Sequence, residues 1–203
     1  MNGSPRIYDH ACASRAAPAR LAEPPPPDHW QFWLAERLRS RGEPVLYPQM
    51  PDPDEPRYER WAEVLHGELS MLGDAERVVV CHSLSCLLWS HFASRELRQE
   101  ERVDRVLFVA PPAPSAFVPA VASFRPERLD AGALAYSARR PIRLACSDND
   151  PYCPEGAMGF YGEALGLDTD LLPGTGHLDV EAGFGPWPAV AAWIDEPDRR
   201  LTP

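Results

Sequence analysis

Hydrophobic positions along the chain alternate between a helical period and short continuous runs. From His29 to Gly42, HWQFWLAERLRSRG sets Trp30, Trp33, Leu34 and Leu38 at helical spacing, with Gly42 as a stop. PVLYP is a short strand, and the proline-rich PQMPDPDEP after it can continue neither element. RYERWAEVLHGELSMLG predicts a second amphipathic helix with Trp61, Val64, Leu65, Leu69 and Leu72 on one face. RVVVC lacks the polar alternation of a half-exposed strand and so predicts one buried on both faces.

The same alternation carries on to the C-terminal end. Leu84, Leu87, Leu88, His91 and Phe92 fall at i, i+3, i+4, i+7 and i+8 of a helix. VDRVLFVAPPAP is a strand that ends in prolines. Residues 114–138 are irregular, and Phe117, Val118, Val121 and Phe124 are available to line or cover a pocket. PIRLACSDNDPYCP runs from a strand into an acidic turn, EGAMGFYGEALG is a helix with glycines, and TDLLPGTGH is a strand entering a glycine-rich turn. PWPAVAAWI closes the series as a helix with Pro186 or Pro188 near its first turn. Strands alternating with helices predict an α/β fold with a mostly parallel sheet covered on both faces.

Composition narrows the chemistry. A length of 203 residues suits a single domain. The formal net charge of −10 argues against nucleic acid and anionic membranes, both of which need a basic footprint. All 20 basic residues are arginine, which excludes a Schiff-base lysine and a P-loop. No apolar run is long enough to span a bilayer, and no secretory h-region opens the chain, so the expected location is cytoplasmic. The 5 cysteines, an odd number without a C-x-x-C pair, fit a reducing compartment. Cys81, Cys86 and Cys146 read as small buried hydrophobes. No cofactor and no metal are expected, since the 6 histidines offer no H-x-x-x-H pair either.

Three polar groups fall where predicted strands end: Ser83, then Asp148 or Asp150, then His177. In an open parallel sheet, ligands bind beyond the carboxyl ends of the strands. A serine hydroxyl needs a base to become a nucleophile, a neutral imidazole can be that base, and a carboxylate can orient the imidazole. VVVCHSLSC has the outline of a nucleophile elbow, strand–turn–helix, in the order Ser…Asp…His. The usual glycines on either side of the serine are replaced by Cys81 and Ser85, which are small enough to keep Ser83 in the role. Each residue also has a plain structural reading: Ser83 as a helix cap, the aspartates as turn formers, His177 as an exposed histidine. Their joint placement at three strand ends favours a shared site. His82 adjoins the serine but points elsewhere if the elbow forms, and His91 sits on an apolar helix face.

HWQFWL, VVVCHSLSC, SDNDPYCP and GHLDVEAGFGPWP resemble the retinoblastoma-binding-protein-nine-like serine hydrolases, a family of the α/β-hydrolase superfamily. The resemblance spans about residues 29–195. It implies an α/β-hydrolase-like three-layer sandwich with a small or absent lid. It also implies a serine hydrolase of esterase, thioesterase or amidase type acting on a small-molecule acyl substrate. The family's nucleophile maps onto Ser83, its acid onto Asp150 rather than Asp148, and its base onto His177. One oxyanion donor would be the backbone N–H of Leu84, directly after the nucleophile. The family's other donor comes from a glycine turn after its first strand.

Residues 1–28 depart from that pattern. They are rich in Ala, Pro, Arg and Ser, with PPPP at 24–27, and predict a weakly ordered segment in which the first strand is degraded or missing. The hydrolase domain would then cover 29–195, and 196–203 would be a C-terminal tail. Two other functions fit the same residues: a binding protein of this fold with impaired catalysis, and an enzyme using the site for acyl transfer or cyclisation.

Overall fold

In the computed structural model, the residues described are 28–73, 75–125 and 128–203, together with the main chain of 6–10. Six strands form one sheet: β1 (Arg6–His10), β2 (Val45–Leu46), β3 (Arg77–His82), β4 (Arg105–Val109), β5 (Arg143–Cys146) and β6 (Asp168–Leu171). Their order is β2-β1-β3-β4-β5-β6 and every pairing is parallel. Among the described residues five α-helices accompany them: α1 (Trp30–Ser40), α2 (Tyr58–Met71), α3 (Leu84–Arg95), α4 (Ala131–Ser137) and α5 (Pro188–Asp195).

The central strands show why their sequences carry no polar alternation. In β3, Val79 and Cys81 face a core built with Trp61, Leu65, Leu69, Leu87 and Leu88 of α2 and α3. Val78 and Val80 face the opposite core, built with Trp30, Leu34 and Leu38 of α1 and Val190, Trp193 and Ile194 of α5. Strand β4 divides in the same way, Val106 and Phe108 to the first core and Leu107 and Val109 to the second. Period 2 is therefore present, but both faces are apolar because helices cover both.

The N-terminal expectation needs correction. The main chain of Arg6–His10 lies between β2 and β3 and pairs in parallel with both. Ile7 stands opposite Val45 and Val78, and His10 opposite Cys81. A central strand is held by its N–H and C=O groups, which any non-proline residue supplies, and a gap between β2 and β3 would leave two rows of them unpaired. RIYDH holds only two strong strand formers, Ile7 and Tyr8, beside a proline-rich stretch, so composition gave little sign of it. The turn after β1, where the family's second oxyanion donor would arise, lies outside the described residues.

Three further segments differ from expectation. Helix α4 lies inside the stretch read as irregular. It is 7 residues long and buries only Leu134 and Ser137, too few to show a period, and it starts where Asp130 accepts a hydrogen bond from the Ala133 N–H at 2.9 Å. The EGAMGFYGEALG helix contains a π-helical stretch, Met158–Glu163. There a Cβ on Gly162 would meet the Thr169 hydroxyl of β6 at 2.5 Å, so only glycine allows the approach. Residues 196–203 are tied to the sheet edge: Leu201 is buried and its N–H donates to Asp170, Arg200 pairs with Asp168 and Asp170, and Trp187 Nε1 donates to the Thr202 carbonyl.

Candidate active site

Strand β3 ends at His82 and α3 begins at Leu84, so Ser83 is the whole turn between them. It has φ 57° and ψ −122°, a left-handed conformation of the kind that costs a non-glycine residue roughly 1–3 kcal/mol and persists only when its surroundings enforce it. The Ser83 N–H donates to the Val109 carbonyl of β4 at 2.9 Å, and the Cys86 N–H donates to the Ser83 carbonyl at 3.0 Å. Neither Cys81 nor Ser85 has a positive φ, so nothing in the main chain demands the missing glycines. Ser85 uses its hydroxyl on His82, donating to the carbonyl at 2.7 Å and accepting from the N–H at 2.8 Å. The replacement thus brackets the residue before the serine. The Cys86 thiol, one position on, donates to the carbonyls of Cys81 and Val109 at 3.5 Å each.

The loops after β5 and β6 bring the other two groups in. His177 Nε2 is 2.9 Å from Ser83 Oγ, and His177 Nδ1 is 3.0 and 2.9 Å from the two carboxylate oxygens of Asp150. An ionised carboxylate only accepts, so Nδ1 carries the proton and Nε2 is left to accept from the serine. All three side chains are buried, with Ser83, Asp150 and His177 at 7, 3 and 3 % exposure. Asp150 also accepts from the Tyr152 N–H at 2.8 Å, and the Tyr152 ring packs 4.5 Å from the imidazole.

The acidic turn grips the histidine loop residue by residue. Asp148 accepts from the Gly174 N–H at 2.7 Å, the Ser147 hydroxyl from Thr175 at 3.2 Å, and the Asn149 side-chain carbonyl from Gly176 at 2.8 Å. Asp150 then reaches His177 itself. Both Gly174 and Gly176 have positive φ, which lets consecutive N–H groups turn toward the SDND side chains. Asp148 therefore shapes the loop and does not touch the imidazole. These roles of Ser147 and Asn149 were not anticipated, because short polar residues in a turn have many other partners in prospect.

Two more histidines stand behind His177. The rings of His29, His82 and His177 follow one another at 5.4 and 5.0 Å between centroids. Burial, then the neighbouring imidazoles, holds His82 well below the usual histidine range. Burial, opposed by Asp179, lowers His29 to about 4. Both are neutral near pH 7. His82 Nε2 lies 2.9 Å from the His177 carbonyl and so turns away from Ser83, as the elbow predicts. His91 is buried against the Tyr58 ring at 5.1 Å, in the core.

Burial is the first cause that pushes the Cys146 and Cys153 thiols up to about 12, with Asp150 adding to it, so neither competes as a nucleophile. Leu84 opens α3, putting its N–H directly after the serine at the positive end of the helix. A pocket of about 550 Å³ is lined by Leu87 of α3, four positions after Ser83, together with Phe117, Leu129, Phe160 and Leu165. Of the aromatic and aliphatic residues expected around a pocket, Phe117 lines it, Val118 is exposed, and Phe124 is buried against Trp61. Among the described residues there is no group of three or more His, Cys, Asp or Glu arranged to hold a metal ion, and no helix long and apolar enough to cross a membrane.

The serine hydrolase family model matches residues 23–196. Among solved structures, the ydeN gene product of B. subtilis is 21% identical with a TM-score of 0.73, covering 95% of this chain and 97% of that one. A YdeN-like protein of Pectobacterium atrosepticum is 21% identical at 0.68, covering 94% and 89%. The thioesterase domain of the curacin biosynthetic pathway is 13% identical with a TM-score of 0.59, covering 95% of this chain and 90% of that one. These likenesses show an α/β-hydrolase fold. No curated protein matches this chain.

Proposed function

The chain belongs to the serine hydrolase family, and from that footing we propose that it hydrolyses small acyl esters or thioesters through Ser83, His177 and Asp150. Within the family, the motifs around these residues favour the retinoblastoma-binding-protein-nine-like branch. The observation that carries the proposal is the unbroken run from Ser83 Oγ through His177 to the Asp150 carboxylate, starting from a serine held at φ 57°.

In this reading, Ser83 Oγ attacks the acyl carbonyl as His177 Nε2 takes its proton. Asp150 keeps the imidazole in the Nδ1–H form and stabilises the cation that results. The oxyanion forms beside the Leu84 N–H, where the first turn of α3 presents positive potential. His177 then protonates the leaving alcohol or thiol. Water then attacks the acyl carbonyl as the same nitrogen takes its proton; the bond from the acyl carbon to Ser83 Oγ breaks, His177 returns the proton to Ser83 Oγ, and the acid leaves. The mostly apolar pocket walled by Leu87, Phe117, Leu129, Phe160 and Leu165 is suited to the acyl portion.

The test is hydrolysis of p-nitrophenyl acetate, butyrate and hexanoate, with Ser83→Ala as control. Losing the nucleophile of such a site lowers kcat by about a millionfold, so the variant should fall to the background rate while keeping its thermal unfolding midpoint. Hydrolysis by Ser83→Ala at the wild-type rate would refute the proposal. Adding an alcohol acceptor separates the acyl-transfer alternative, since a transferase would give new ester in place of free acid.

A further inference from the structure

His177 is held at both ends. Its imidazole meets Ser83 and Asp150, while the main chain at and after it is gripped by two other side chains. His82 Nε2 lies 2.9 Å from the His177 carbonyl, and Trp30 Nε1 donates to the next carbonyl, that of Leu178, at 2.8 Å. The two donors come from different elements, the end of β3 and the first turn of α1, and their rings pack edge to face at 5.7 Å. Both are inaccessible to solvent.

The segment they grip needs holding. Leu178 has φ 54°, one of few non-glycine residues in the left-handed region among the described residues. That conformation turns the chain directly after the imidazole, so relaxing it would swing the His177 main chain and with it the ring. The tautomer of His82 fits the task. Nε2 faces a carbonyl and must carry the proton, while Nδ1 is buried without a hydrogen-bond partner among the described residues. An unpartnered buried nitrogen has a free-energy cost that a simple packing residue such as leucine would avoid.

We infer that His82 and Trp30 are positioning residues that set the catalytic base by clamping two successive carbonyls, those of His177 and Leu178. Neither touches the reacting atoms. This rests on the functional reading above, in which His177 is the base. The clamp also explains why His82 directly precedes the nucleophile: one residue pair, His82–Ser83, contacts His177 at its carbonyl and at its Nε2. The nucleophile and the base are thereby referenced to one point of the sheet.

The experiment compares wild type with His82→Leu, His82→Gln, Trp30→Phe and His82→Leu/Trp30→Phe. Two quantities are read in each folded variant: steady-state hydrolysis of p-nitrophenyl butyrate, and the low-field proton resonance of the His177 Nδ1–H on Asp150. A displacement of about 1 Å at a catalytic group lowers the rate by on the order of a hundredfold. His82→Leu and Trp30→Phe should each reduce kcat by about 10- to 100-fold, leave KM unchanged and broaden the resonance. His82→Gln keeps an N–H near the Nε2 position and should recover most of the rate and the resonance. The double variant should lose less than the product of the single losses, because both donors restrain one segment. Unchanged kcat and resonance in both single variants would overturn the clamp, as would a His82→Gln no better than His82→Leu. Should His82→Leu fail to fold, Trp30→Phe decides the matter by the same two readings. A wild type with no esterase activity, whose resonance still depends on His82, would sink the functional reading and leave the clamp standing.

Discussion

The sharpest consequence of the buried imidazoles concerns stability in acid. His29 caps α1, accepting the Gln31 N–H on Nδ1 at 3.2 Å, and is 4 % exposed. Burial lowers it from 6.5 to about 4. Protonation would also place a second proton opposite the Gln31 N–H and undo the cap. The sign follows from proton counts. Between pH 6.5 and 4 the unfolded chain holds a proton at His29 that the folded chain refuses, so acid favours unfolding. The contribution is fully present above about pH 6.5 and is lost as the pH falls toward 4. Linkage between those two values gives about 2–3 kcal/mol lost by pH 4.5, and His82 adds to the same trend. His29→Asn removes the ionisation and keeps a side chain that serves well as an N-cap. Urea unfolding of both proteins at intervals from pH 7.5 to 4.5 measures the difference. The variant should be somewhat less stable at pH 7.5, where it loses the packing against His82 and Trp30. Its curve should fall less steeply, by about 2–3 kcal/mol over the range. Parallel curves would show that His29 titrates as in the unfolded chain, and the reasoning would fail.

Two other outcomes follow from particular contacts. Asp150→Asn should lower kcat by about four orders of magnitude, the scale for a triad carboxylate made into an amide, whereas Asp148→Asn should lower it far less, since Asp148 accepts from the Gly174 N–H and not from the imidazole; equal losses from the two would place both in a merely structural turn. The amides of residues 7–9 should exchange as slowly as those of β3, because β1 is paired on both sides, and exchange at unfolded-chain rates would remove β1 from the sheet.

The strands β3, β4 and β5 and the helices α1, α2, α3 and α5 are legible in the sequence, because each buries enough apolar side chains to display a period. Ser83 and His177 stand out as candidates for a different reason, since the ends of parallel strands are where a site forms; the end of β5 offers both Asp148 and Asp150, and only the family resemblance singles out Asp150. β1 was hidden because a central strand depends on main-chain pairing that side chains do not announce. Helix α4 was hidden by its shortness. The clamp on His177 was out of reach as well: His82, Trp30 and Leu178 are far apart in the chain, and only the sheet order places β3 and α1 against the loop after β6. The SDND grip required knowing which loop lies opposite.

The central claim is that Ser83 is an activated nucleophile. Intact-mass measurement after treatment with a fluorophosphonate tests it most directly, followed by peptide mapping of the adduct. The account predicts one phosphonyl group per chain, mapped to Ser83, and absent from Ser83→Ala. A wild type that stays unmodified, or a Ser83→Ala protein labelled to the same extent, would contradict it.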